Sequence, residues 1–131
     1  MTTKFETETK ALVHYEWNIA NTIAEARAAG FTVIQATETT LLLDLDDDVA
    51  EDIYERTLPR LASLYELCET ERWRSKSGIG LHVVLSCHAL PFPERAALQA
   101  CLGSDRIREG IAIRRHLDGN DNPSFLFKPK S

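Results

Sequence analysis

Apolar residues recur at spacings of three and four over residues 8–29, at Leu12, Tyr15, Ile19, Ile23 and Ala26. That spacing predicts a helix, with Gly30 as its C-terminal stop. The period then changes. Phe31–Ala36 is rich in strand formers, and Thr37–Glu38 suits a tight turn. Thr39–Asp46 is a continuous apolar run bounded by acids, the pattern of a central buried strand. Asp47 or Asp48 caps the next helix, with Glu51 three residues after Asp48 as in a capping box. Val49, Ile53, Tyr54, Leu58, Leu61, Leu64, Tyr65 and Cys68 continue at helical spacing. Pro59 inside that pattern is expected to kink or split the helix.

Glu71–Ser75 reads as a short strand, SKSGIG as a glycine turn and Leu81–Cys87 as an apolar strand. Pro93 suits the first turn of a helix running to Leu102, and Gly103 its end. Residues 104–117 fit a helix through Ile107 and Ile111, or a strand through Ile111, Ile113 and Arg115. DGNDNP is turn chemistry, and SFLFK (Ser124–Lys128) reads as a last strand. Helical connections between apolar strands predict an α+β fold with helices on one face of a sheet.

The 131 residues suffice for one domain, an N-terminal helix in 1–30 and a core over 31–128. Hydrophobic residues make up 44% and charged residues 27%, ordinary globular usage. No apolar run approaches the roughly 18 residues of a membrane span. The start, MTTKFETETK, lacks the basic and apolar regions of a signal peptide, so a cytoplasmic location is expected. Three widely spaced cysteines, Cys68, Cys87 and Cys101, argue for free thiols and against a disulfide or zinc framework.

Charge is divided unevenly. Residues 1–70 hold 5 Lys/Arg and 14 Asp/Glu, whereas residues 71–131 hold 10 and 6. This excludes a uniformly basic nucleic-acid coat protein and permits a carboxylate cluster facing a basic surface.

Two segments carry candidate chemistry. In LLLDLD, Asp44 and Asp46 lie two positions apart on a strand and so share one face, while Leu43 and Leu45 share the other. Two close carboxylates repel, and a divalent cation with a preference for hard oxygen ligands, Mg²⁺ or Mn²⁺, relieves the conflict. The competing explanation is a strand end running into an acidic helix N-terminus. In SKSGIGLH, hydroxyls, Lys76 and glycines form an anion-binding type of turn leading to His82. A Walker A loop is excluded, because its glycine spacing and G-K-[ST] are missing. Arg72 and Arg74 alternate just before the turn, with Trp73 facing the other way. An ordinary hairpin connection explains the same segment.

In combination these residues resemble the archaeo-eukaryotic primase (primase-polymerase) superfamily in its compact phage and plasmid form. Asp44 and Asp46 match the hydrophobic-D-hydrophobic-D/E strand. Ser77, Gly78 and His82 match the small-residue turn that leads to a histidine, 36 residues after Asp46. The resemblance implies an RRM-like sheet of about four to five strands with helices on one face. It implies a metal site made by Asp44, Asp46 and a third acid, for which Asp105 is the candidate and Asp118 the weaker one. Asp105 equally suits a helix first turn beside Ser104 as cap. The implied activity is nucleotidyl transfer, with Mg²⁺ or Mn²⁺ as cofactor. Arg72, Arg74, Lys76, Ser77 and His82 would bind a nucleoside triphosphate. Arg106, Arg108, Arg114 and Arg115 would follow single-stranded or primed nucleic acid by charge. A helicase or other replication protein is the implied partner, and a phage or bacterial host cell the setting. The alternative is a regulatory protein on the same fold that binds nucleotide or nucleic acid without turnover.

Overall fold

The structure, a computed structural model, describes residues 19–75, 77–120 and 123–129. Among the described residues four helices span Ile19–Ala28 (α1), Asp48–Tyr65 (α2), Phe92–Cys101 (α3) and Arg106–Leu117 (α4). Five strands span Phe31–Gln35 (β1), Thr40–Leu45 (β2), Cys68–Arg74 (β3), Leu81–Ser86 (β4) and Phe125–Pro129 (β5). The α+β architecture is therefore as expected. The strands divide into two antiparallel sheets, β2-β4-β3 and β1-β5. Residues 8–18 of the expected first helix lie outside the described residues.

β2 is an edge strand, and β4 occupies the centre that its apolar run suggested for β2. The run is nevertheless buried because both faces of β2 are covered. Leu41, Leu43 and Leu45 join Leu81, Val83 and Leu85 of β4 beneath α2, with Tyr54, Leu58 and Leu61 above them. Leu98 and Leu102 of α3 complete that core. On the second face Leu42 and Val84 pack with Ile34, Ala36 and Leu126 from the β1-β5 side. The chain switches sheets over residues 36–39. The Ala36 N–H donates to Ser124 O, extending the β1-β5 side, while the Cys87 N–H donates to Thr39 O on the β4 side.

Asp47 caps α2 by accepting from the Ala50 N–H at 2.8 Å. Glu51 is not part of a capping box. Its carboxylate binds Arg74 in two hydrogen bonds of 2.9 and 3.0 Å. α2 runs unbroken through Pro59. The packing of Leu58, Leu61 and Tyr65 against the sheet holds both halves in one helix despite the lost N–H. Residues 106–117 are helical, which settles the ambiguous stretch in favour of Ile107 and Ile111 at helical spacing.

The outer edge of β2 is closed by side chains rather than by another strand. The Leu42 N–H donates to Gln99 Oε1 at 2.9 Å, and Arg108 donates to Leu42 O at 3.2 Å. The Asp44 N–H donates to Ser104 Oγ at 3.0 Å, and the Asp105 N–H donates to Asp44 O at 2.8 Å. Glu109, 2% exposed, ties this set together. It accepts from Gln99 at 2.5 Å, Ser104 at 3.0 Å and Arg108 at 2.5 Å. Burial raises the Glu109 carboxyl above its ordinary value, against the pull of Arg108 and its other donors. Three donors, one of them the Arg108 guanidinium, are what makes such a carboxyl tolerable in the interior.

Gly103 makes the α3–α4 corner possible. Its φ is +96°, and a Cβ there would stand 2.7 Å from Ala50 O. Only glycine suits that conformation and approach, and the corner delivers Ser104 and Asp105 to the β2 edge.

Candidate metal centre

Asp44 projects from the second face of the sheet, directly across from His82 of β4 in the strand register. His82 Nε2 lies 3.3 Å from Asp44 Oδ1. Asp46, one residue past β2, has the same parity and is exposed. Asp105 comes from the opposite direction, positioned by the backbone bond to Asp44 O. Asp44, Asp46 and Asp105 each offer a carboxylate oxygen, and these oxygens lie within 4.8 Å of one another.

Asp105 combines the two roles its sequence context suggested. As N-cap of α4 its Oδ1 accepts from the Ile107 N–H at 3.0 Å, while the residue stands beside the D-x-D strand. The cap is Asp105 itself rather than Ser104, whose hydroxyl belongs to the β2 edge. Asp118 is elsewhere, at the far end of α4, paired with Arg114 at 3.2 Å.

The electrostatics of the three acids are unequal. Desolvation would raise Asp44. The hydrogen bond and charge of His82, with Arg108, outweigh it and hold Asp44 below its ordinary value. Among the described residues Asp46 has no cationic neighbour of that kind. Local desolvation, then the charges of Asp44 and Asp105, push it up to about 6. A carboxyl forced toward protonation by two neighbouring carboxylates is a site that gains from a cation. Three hard oxygen donors suit Mg²⁺, Mn²⁺ or Ca²⁺ in preference to softer metals.

A cleft of about 330 Å³ opens beside the cluster. Asp44, His82 and Asp105 form its polar end, and Phe125, Phe127 and Ile111 its apolar wall. Trp73 meets His82 edge-on at 5.4 Å and donates from Nε1 to Phe127 O at 3.3 Å, which fixes the imidazole against the β1-β5 layer.

Of the other expected site residues, Arg108 and Arg115 line this cleft, and the rest do not converge here. Trp73 pairs with His82, so Arg72 and Arg74 fall on the opposite face of the sheet, toward α2. Arg72 binds Glu69 at 2.7 Å and lies 3.5 Å from Glu55, and Arg74 binds Glu51. The expectation that these arginines join His82 around a triphosphate is corrected by this register. Ser77 sits in the β3–β4 turn, where its hydroxyl pairs with that of Ser75 at 2.9 Å. Lys76 lies outside the described residues. Of the four arginines assigned to nucleic acid, two are structural. Arg108 is bound to Leu42 O, Glu109, Ser124 and Phe125 O. Arg115 is buried, donates to Pro123 O at 3.2 Å and lies over Phe125. Arg106 and Arg114 remain on the exposed surface of α4.

Gln99 and Glu109 support the site without having been singled out from sequence. Gln99 signals itself as an amide between Leu98 and Ala100, whereas Glu109, between Arg108 and Gly110, is marked only by its burial in the fold. Phe125 and Phe127 gain their place only from the β5 register. No protein-family model, curated protein or solved structure matches this chain. The three cysteines are free thiols, and no described helix is long and apolar enough to cross a membrane.

Proposed function

We propose that the acid cleft is a divalent-cation centre of nucleotidyltransferase type, of the kind found in primase-polymerases. Its substrates would be a nucleoside triphosphate and single-stranded or primed nucleic acid. The observation that carries this reading is Asp105. A third carboxylate, 59 residues beyond Asp46, stands against a D-x-D strand whose own geometry already called for a cation. Asp44, Asp46 and Asp105 would hold Mg²⁺ or Mn²⁺. When bound, such metals activate the attacking hydroxyl and neutralise the leaving pyrophosphate.

The remaining roles belong to the chain itself. His82 orients Asp44 through the Nε2 contact and stands at the cleft, within the region a phosphate bound to the cluster would occupy. Phe125, Phe127 and Ile111 offer an apolar wall to a base. A replication protein such as a helicase, in the cytoplasm of a bacterial or phage-infected cell, goes with this role.

A second reading is binding without turnover. It is favoured by one observation: Arg72 and Arg74 lie on the opposite face, and Arg108 and Arg115, which line the cleft, are held by the chain's own acceptors. Calorimetry of Mn²⁺ with a nucleoside triphosphate tests both readings. Wild type is expected to bind, and the Asp44→Ala/Asp46→Ala variant to bind neither. Absence of binding by wild type defeats both readings. Binding that survives the double variant defeats the metal centre. Primer extension with a labelled nucleotide then separates turnover from binding.

A further inference from the structure

A second cavity, of about 450 Å³, lies at the N-terminus of α3 and shares Pro123 with the lining of the acid cleft. Pro91, Phe92, Arg95, His116, Asn120 and Glu38 are among its lining residues. Arg95 is only 5% exposed. Its guanidinium makes one hydrogen bond, Nε to Leu90 O at 3.1 Å, and Nη1 is buried with no partner. Among the described residues no carboxylate forms an ion pair with it. A buried guanidinium nitrogen left this way is costly, because it has lost water without gaining an acceptor. Burial pulls it below its ordinary value, with the charges of Cys87 and Glu38 opposing.

The surroundings add two further features. The N-cap of α3 is Pro91, which provides no side-chain hydrogen bond, so the Phe92 and Glu94 N–H groups lack a side-chain cap; Pro93 has no N–H, and the Glu94 carboxylate partly offsets the positive end of the helix. Phe92 and His116 are stacked with centroids 4.7 Å apart, and Arg95 lies over the Phe92 ring at 5.4 Å. The cavity thus combines a buried cation short of acceptors, a helix N-terminus and the half-buried His116 ring, backed by Phe92. Glu38 is the opposing charge, and it is exposed at the rim.

We propose that this cavity binds a small organic anion, its carboxylate or phosphate head on Arg95 and a planar body against His116, whose ring is backed by the buried Phe92. The site is independent of the acid cleft.

The test uses the full chain, isotope-labelled, titrated with phenyl phosphate and with benzoate while backbone and Arg side-chain resonances are followed. Saturable shifts centred on residues 90–95 and 116–120 are expected, and the tighter of the two probes identifies the head group. Arg95→Met is expected to weaken binding about tenfold or more, the size of a lost charge-assisted pair. Glu38→Gln should strengthen it about two- to threefold by removing a rim repulsion. Asp46→Asn should leave it unchanged, so failure of the metal centre and failure of this site are distinguishable. Should Arg95→Met not fold, Arg95→Lys serves, with a few-fold loss expected because the planar fork is gone. No saturable shift at up to roughly 10 mM of either probe, a concentration at which even weak fragments bind, overturns the proposal. Shifts centred on the acid cleft, or an affinity indifferent to Arg95, overturn it too.

Discussion

The three-stranded sheet ends in two edge strands that are protected in opposite ways. At β3 the protection is charge: Glu69, Glu71, Arg72 and Arg74 follow one another along the strand, and a bulge between Glu69 and Glu71 interrupts the ladder. Both devices discourage pairing with another chain, and neither asks for a specific partner structure. At β2 the protection is a buried polar network built from α3, the corner after it and α4. Gln99, Ser104, Asp105 and Arg108 supply the hydrogen bonds a neighbouring strand would have made. Salt bridges on an exposed edge can be exchanged at little cost, whereas a closed buried network is stringent. Stringency is what a site needs, and the acid cluster lies on the β2 edge.

The sharpest way to break the comparison is Glu109→Ala. Gln99 Nε2 and Ser104 Oγ would lose their acceptor and Arg108 its carboxylate partner, costing about 3–5 kcal/mol. Chemical denaturation should show that loss. Mn²⁺ binding should disappear as well, although Glu109 is not one of the three acids, because Asp105 loses its placement. Retained Mn²⁺ affinity in a folded Glu109→Ala protein would show that the network does not position the site.

Asp46→Asn follows in size. Loss of one direct ligand should weaken Mn²⁺ by about 100-fold or more, beyond what outer-shell changes cost. The same substitution should raise the melting temperature of the metal-free protein at pH 7.5, since it removes a carboxylate repelled by Asp44 and Asp105. A fall in melting temperature would contradict the electrostatic account.

The pH dependence of Mn²⁺ affinity comes next. Asp46 is raised from 3.8 to about 6, so the folded, metal-free protein holds a proton that the unfolded chain releases between those values. The stabilising effect is present below about 3.8 and is lost as pH rises through 6. Mn²⁺ must displace that proton. Affinity should therefore be about tenfold lower at pH 5 than at pH 8, with proton uptake by buffer at the acidic end. Asp44, held low, stays ionised across this range. A flat profile would mean that Asp46 does not titrate with metal binding.

The smallest effect is expected at the other edge. Arg72→Ala should cost about 1 kcal/mol or less and leave Mn²⁺ and nucleotide affinity unchanged. A large loss of nucleotide affinity would return Arg72 to the binding site and overturn the separation of the two faces.

Much of this molecule is legible in its sequence because local physics dictates it. The 3.6-residue period marks α2, and the apolar runs mark β2 and β4. Glycine and proline punctuate the ends, and the two-residue spacing alone places Asp44 and Asp46 on one face. Those features involve neighbours along the chain, whose geometry a single backbone conformation determines. What the tertiary structure decided is which faces meet. The turn between Ser75 and Gly80 sets the β3–β4 register, pairs Trp73 with His82 and so sends Arg72 and Arg74 to the far side. Periodicity shows that Arg72 and Arg74 share a face but not which face. Likewise Asp105 reached the carboxylate strand through hydrogen bonds between residues about 60 positions apart. Such pairings leave no periodic trace, because their energy comes from closing a strand edge that exists only once the sheet has formed.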